Sequence, residues 1–280
     1  MPVIVGIIPS EVLNNAIKIP VLGLGSLNCF DEAGSTTQSV KDAIDLGYRH
    51  FDINPKIETD VGVAISAKIK EGVVKREELY LVGKLYDTKA FHNPALLKEA
   101  VMTTLRNLNV AYIDMYFIHC PEGDVFSGEA FTDTWNELEI LVDNFVVKSI
   151  GLSNFSVEQL QNVLIASRVS PTVNQIECNP YFTQRALREF CAQKRILISA
   201  LNIFGTPALL EDPLIVELAK KYKRTPELIL LRYQIEKGHI AVAEVQNKSD
   251  LMSHLDAFKF EINNSDISEM DKLDRHKLYI

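Results

Sequence analysis

The sequence predicts an α/β fold, a (β/α)8 TIM barrel, on three observations. Eight short apolar runs recur along 280 residues, amphipathic stretches separate them, and no linker or low-complexity tract divides the chain. A doubly wound sheet would usually use fewer strands, so the expected organisation is one barrel domain over residues 1–280.

The strand candidates are VLGLGS (21–26), RHFDIN (49–54), LYLVGK (79–84), MYFIHC (115–120), VKSIGLS (147–153), TVNQIE (172–177), RILISALN (195–202) and IAVAEV (240–245). Each is rich in Val, Ile, Leu or aromatics without strict alternation, as expected of parallel strands covered on both faces. Between them, stretches such as PALLKEAVMTTLRNLN (94–109) and TQRALREFCAQK (183–194) carry apolar residues three and four apart, the helical period. Ser156 followed by Gln159 forms a capping box, and Thr225 before Pro226 is an N-cap with proline in the first turn. Helices at 212–223, 248–258 and 266–276 are additions to the ring.

Composition narrows the function. A net charge of −8 and a pI near 5.3 leave no basic footprint for nucleic acid. No apolar run reaches the roughly 18 residues of a membrane span, and MPVIVGIIPSEVLNN lacks a basic n-region, so the expected compartment is the cytoplasm. Cys29, Cys120, Cys178 and Cys191 are far apart and show no metal-binding spacing, which predicts reduced, buried thiols and no metal site. GLGSLN at 23–28 lacks the third glycine and the following helix of a dinucleotide fingerprint.

Barrel active sites form at the C-terminal ends of strands. Asp52, Lys84, His119 and Gln175 occupy such places. An Asp, a Lys and a His converging there are equally an ion pair beside a hydrogen-bonded imidazole, because buried charges must be paired wherever they occur.

With these residues in view, the chain resembles the aldo-keto reductase family over essentially its whole length. The motifs that carry the resemblance are IPVLGLGS (19–26), RHFD (49–52), VGVAI (61–65), GKLYDT (83–88), YFIHCP (116–121), KSIGLSNF (148–155), NQIECNPY (174–181) and LLEDP (209–213). The resemblance implies a barrel that binds NADP(H) across its mouth and reduces carbonyls. Hydride leaves the nicotinamide, a tyrosine acidified by an Asp-paired Lys protonates the oxygen, and a His orients the substrate. Asp52, Lys84 and His119 match three members of that catalytic tetrad.

The fourth is missing. The family segment D-x-A-x-x-Y-x-N-E is here DINPKIE, about two residues shorter, and no tyrosine stands between Asp52 and Gly62. Ile57 cannot donate a proton, a service worth about 10²- to 10⁴-fold in rate. Lys56 or Glu58 would have to reach in instead.

The cofactor positions implied by the resemblance divide. Ser153, Asn154 and Gln175 match the residues that hold the carboxamide of the nicotinamide. Leu201 stands where a tyrosine stacks on the ring, with Asn202 in place of the following serine. At the 2′-phosphate site Glu244 replaces a lysine, Val245 a serine, Asp250 an arginine and His254 an asparagine, so two cations become anions. Lys248 could compensate only as a point charge. A carboxylate there can also accept from a free ribose 2′-hydroxyl, so NAD(H) is the alternative cofactor. The segment GTPALLED (205–212) and the end HKLYI are shorter than the corresponding family loops.

Three functions follow as expectations. The first is a barrel that has lost reduction and binds a small-molecule ligand or a protein partner. The second is a working enzyme in the same mouth, an NADH-dependent reductase with a replacement acid or a catalyst of another reaction. Catalysis by Lys84 as a base would need a depressed pKa, which pairing with Asp52 opposes. The third, an abundant structural protein, has no specific support in the surface composition.

Overall fold

The structure, a computed structural model, describes residues 8–25, 35–86, 90–119, 128–245, 247–276 and 278. Eight parallel strands close into a barrel: β3 (Leu22–Gly25), β4 (His50–Asp52), β5 (Tyr80–Leu85), β6 (Ile113–His119), β7 (Val147–Ser153), β8 (Val173–Glu177), β9 (Leu197–Leu201) and β10 (Ile240–Glu244). β10 pairs with β3 and completes the ring. All eight expected strands form, within a few residues of their expected bounds.

A short antiparallel hairpin, β1 (Ser10–Val12) with β2 (Lys18–Pro20), precedes the barrel. Three-residue strands carry too little periodicity to be read in advance. Asn15 donates to Ser149 Oγ at 3.0 Å and Asn14 to the Pro171 carbonyl at 3.0 Å, which fixes the hairpin against the barrel. Leu13 and Ile19 of the hairpin join Tyr80, Val82, Met115, Phe117, Val173 and Ile240 in one apolar cluster. Those strand residues alternate with outward-facing neighbours, so the cluster fills the lower lumen.

The α-helices among the described residues are α1 (Ser35–Asp45), α2 (Glu58–Lys70), α3 (Pro94–Leu108), α4 (Gly128–Asp143), α5 (Val157–Ala166), α6 (Arg185–Gln193), α7 (Pro207–Leu210), α8 (Pro213–Tyr222), α9 (Pro226–Glu236), α10 (Lys248–His254) and α11 (Asn264–Asp271). The capping box is present in both directions between Ser156 and Gln159. Thr225 accepts from the Leu228 amide as expected.

Three helices differ from expectation at their ends. The helix expected at 183–194 begins at Arg185, because Gln184 sits at φ 49°, outside helical space. The one expected at 248–258 tightens into a 3₁₀ turn from Leu255. The last starts at Asn264, where the Asn263 side chain accepts from the Asp266 amide, and stops at Asp271.

α2 packs against α3 closely enough to need a glycine. A Cβ at Gly62 would meet the Asn107 carbonyl oxygen at 2.5 Å and Leu108 Cα at 2.8 Å, backbone atoms that cannot rotate aside. Gly62→Ala is expected to cost about 1–3 kcal/mol by overpacking, read as a lower urea midpoint.

Cys178 and Cys191 are free and buried, with thiols pushed up to about 12 by burial. Cys29 and Cys120 lie outside the described residues, as do residues 26–28 of the glycine-containing stretch.

Candidate functional site

The ladder sets the site. Register places His119 opposite Ser153, Ser153 opposite Gln175 and Gln175 opposite Ser199. Asp52 ends β4 and Lys84 is the penultimate residue of β5, so the expected strand-end residues converge at the C-terminal rim.

Lys84 Nζ lies 3.6 Å from Asp52 Oδ1, with both side chains buried. The Gln175 amide spans the two charges: Lys84 Nζ donates to its Oε1 at 2.5 Å, and its Nε2 donates to Asp52 Oδ2 at 2.5 Å and Ser199 Oγ at 3.2 Å. Each charge thus meets its counterion and the dipole of a fully buried amide.

His119 ends β6, and its Nε2 lies 3.1 Å from Asn154 Nδ2. An amide nitrogen offers only hydrogens, so Nε2 accepts and a neutral ring carries its proton on Nδ1. Asn154 adopts φ 64°, a left-handed conformation that Asn tolerates better than most residues.

Tyr86 completes the cluster. It follows β5 by one residue, is 47% exposed, stacks on the His119 ring with centroids 5.2 Å apart, and lies with its ring centroid 5.5 Å from Lys84 Nζ. In the sequence this tyrosine stands in GKLYDT, two residues past Lys84. The signal that could have found it is its position just past an inward-pointing strand-end lysine.

The short loop after Asp52 supplies no comparable group. Asn54 accepts from the Lys56 amide at 3.0 Å and opens a 3₁₀ turn at Pro55–Ile57. The Ile57 side chain is 8% exposed, and Lys56 is exposed. Glu58 does not point freely into the mouth: its carboxylate accepts from Thr104 Oγ1 at 2.6 Å and Asn107 Nδ2 at 2.8 Å, tying α2 to α3. A cavity of about 440 Å³ lies beside this loop, with Lys84, Tyr86, Glu58, Thr103 and Tyr116 in its wall.

Two buried tyrosines spend their hydroxyls on other parts of the protein. Tyr48 donates to the Leu251 carbonyl at 2.8 Å and Tyr181 to Asp212 Oδ2 at 2.8 Å.

Around the rim, Ser153 Oγ is buried with no hydrogen-bond partner among the described residues. Leu201 is half-buried, and Asn202, at φ 46°, donates to Glu177 Oε1 at 2.8 Å. Glu244 is exposed at the end of β10, and Val245 is buried. Asp250 lies in the first turn of α10, its amide held by Asn247 Oδ1 at 3.1 Å. His254 is buried against the Phe204 ring at 5.5 Å, its Nδ1 has no partner among the described residues, and burial lowers its pKa. Lys248, the expected compensating cation, pairs with Asp42 at 3.1 Å instead.

The profile of the Aldo/keto reductase family matches residues 21–275. The chain belongs to this family.

Its similarity to individual aldo-keto reductases runs nearly end to end. Aldo-keto reductase family 1 member C18 of Rattus norvegicus is 35% identical, covering 95% of this chain and 92% of its own. Aldo-keto reductase family 1 member C3 of Homo sapiens is 36% identical over the same shares. The prostaglandin-E(2) 9-reductase of Oryctolagus cuniculus is 36% identical, covering 96% and 92%. Among solved structures, a Bombyx mori aldo-keto reductase in complex with NADP superposes with a TM-score of 0.89 at 29% identity, covering 97% of this chain and 94% of that one.

Proposed function

We propose that this aldo-keto reductase family member has lost NADP(H)-dependent carbonyl reduction and uses its barrel mouth to bind a small-molecule ligand or a protein partner. The observation that carries the reading is the Asp52–Gly62 loop. Buried Ile57 stands where the family places its phenol, and the neighbouring carboxylate of Glu58 is held between Thr104 and Asn107.

The cofactor positions support the same reading. Ser153 keeps a buried hydroxyl suited to a carboxamide. Gln175, by contrast, already spends its amide on Asp52 and Lys84. At the other end, two carboxylates, an apolar valine and a buried histidine do not fit a 2′-phosphate, which is held best by cationic donors. The cavity beside Lys84 and Tyr86 supplies the volume for a ligand. The Asp52–Lys84 pair then persists as structure, because an unpaired buried charge is costly.

Among the described residues no helix is long and apolar enough to cross a membrane. The reading places the protein in the cytoplasm, where its thiols would remain reduced.

Tyr86 favours a second reading, an NADH-dependent reductase with a replacement proton donor. Its phenol ring lies beside Lys84 and His119. Glu244 would then meet a free ribose hydroxyl.

Titration of the purified protein with NADPH and NADH at low ionic strength, followed by calorimetry, separates the two. Neither is expected to bind below about 1 mM, a free energy weaker than about −4 kcal/mol. Micromolar NADH binding without NADPH binding would overturn the proposal. The second reading then requires Tyr86→Phe to lower carbonyl turnover by about 10²- to 10⁴-fold.

A further inference from the structure

A separate cavity of about 420 Å³ opens at the N-terminal end of the barrel, remote from the Asp52–Lys84 cluster. Its wall includes Arg185, Arg188, Lys237, His239, Glu189 and Asp271. Three cations face two carboxylates there, in a chain whose net charge is −8.

Among the described residues, one of these cations is neutralised by a direct ion pair. Lys237 Nζ lies 2.7 Å from Asp271 Oδ2. Arg185 and Arg188, on neighbouring turns of α6, form no ion pair among the described residues, and the buried Arg188 Nε has no hydrogen-bond partner. That Nε is itself closed to solvent, so an incoming anion would meet the remaining guanidinium edges of Arg188 and Arg185 at the cavity wall.

His239 adds direction. Gln234 Nε2 donates to the Cys178 carbonyl at 2.7 Å, which turns its Oε1 toward His239 Nδ1, also at 2.7 Å. Nδ1 therefore carries the proton, and a neutral ring has a lone pair on Nε2. Burial, then the charges of Arg188 and Lys237, push the His239 pKa down to about 3, so the ring is neutral at pH 7. The cavity thus combines guanidinium donors with an imidazole acceptor.

We infer that this cavity binds a soluble phosphate monoester as its monoanion, whose anionic oxygens accept from Arg188 and Arg185 while its remaining P–OH donates to His239 Nε2. Planar guanidinium groups match the spacing of phosphate oxygens. The volume leaves room for an organic group beyond the phosphate. This inference is independent of the reading of the barrel mouth.

The test uses the full chain at about pH 5.5, where a phosphate monoester is chiefly the monoanion, and low ionic strength, with inorganic phosphate, glycerol phosphate, sulfate and chloride, followed by calorimetry and the NMR resonance of the His239 ring. Phosphate and glycerol phosphate are expected to bind and to shift that resonance. Sulfate, which has no proton to give at that pH, is expected to bind more weakly, and chloride not at all. Arg188→Met should weaken phosphate binding by about tenfold or more and Arg188→Lys by less, in line with loss of a charge-assisted hydrogen bond. Equal binding of phosphate and chloride, or an unshifted His239 resonance, would overturn the proposal. Should Arg188→Met fail to fold, the resonance in the unmodified protein and the Arg188→Lys affinity still decide the question. Vesicles carrying phosphatidate distinguish a lipid source: binding to them without binding of glycerol phosphate would also overturn it.

Discussion

Replacing Lys84 by Met is expected to destabilise the folded protein by about 3–5 kcal/mol, because it leaves the Asp52 carboxylate buried without its counterion. Among the described residues, Asp52 would then keep the amide of Gln175 at 2.5 Å, a dipole in place of a full charge. Removing both charges, as in Lys84→Met with Asp52→Leu, is expected to recover much of that loss. Urea unfolding of the two single variants and the double variant closes a mutant cycle that isolates the pair's coupling. A near-neutral Lys84→Met would refute the structural explanation for why the pair persists. It would return weight to a chemical role for the lysine.

Acidification from pH 7 to pH 5 is expected to remove about 2 kcal/mol of stability through His239 alone. Its folded pKa of about 3 lies below an unfolded value of about 6.5. The unfolded chain therefore binds the proton first. Stability is fully present above about pH 6.5 and falls as the pH drops toward about 3, by up to about 1.4 kcal/mol per unit. His50 and His254, also lowered chiefly by burial, act in the same direction. Urea midpoints at pH 7, 6 and 5 measure the slope, and His239→Gln should flatten it. A slope unchanged by that substitution would mean that His239 is not the proton-linked group.

The barrel was legible in the sequence because parallel strands buried on both faces are dense in β-branched and aromatic residues. Asp52, Lys84, His119 and Gln175 were legible because each interrupts such a run near the end where barrel sites form. Their bonding was not. The bridge that Gln175 makes to Asp52 joins residues 123 positions apart and depends on barrel closure. Lys248 looked available as a phosphate partner, but helix packing turns it to Asp42. Glu58 looked able to approach the mouth, yet Thr104 and Asn107 on the adjacent helix claim it. Tyr86 escaped notice because a loop residue has no periodicity to mark it, and its stacking on His119 becomes visible only once β5 and β6 lie side by side. Arg188 and His239 lie in different parts of the chain, so their shared cavity could not be read from spacing either.

The apolar cluster of the hairpin and lower strands makes the barrel mouth a dead end. Below Lys84, whose Nζ lies 5.8 Å from the centre of the Phe117 ring, the lumen is filled by Phe117, Met115 and Leu13. Exchange at the rim is therefore one-sided: no ligand held there can cross the lumen to the N-terminal end. The cavity beside His239 opens on the far side of the same cork, so a molecule lodged at one end of the barrel cannot pass through the lumen to the other.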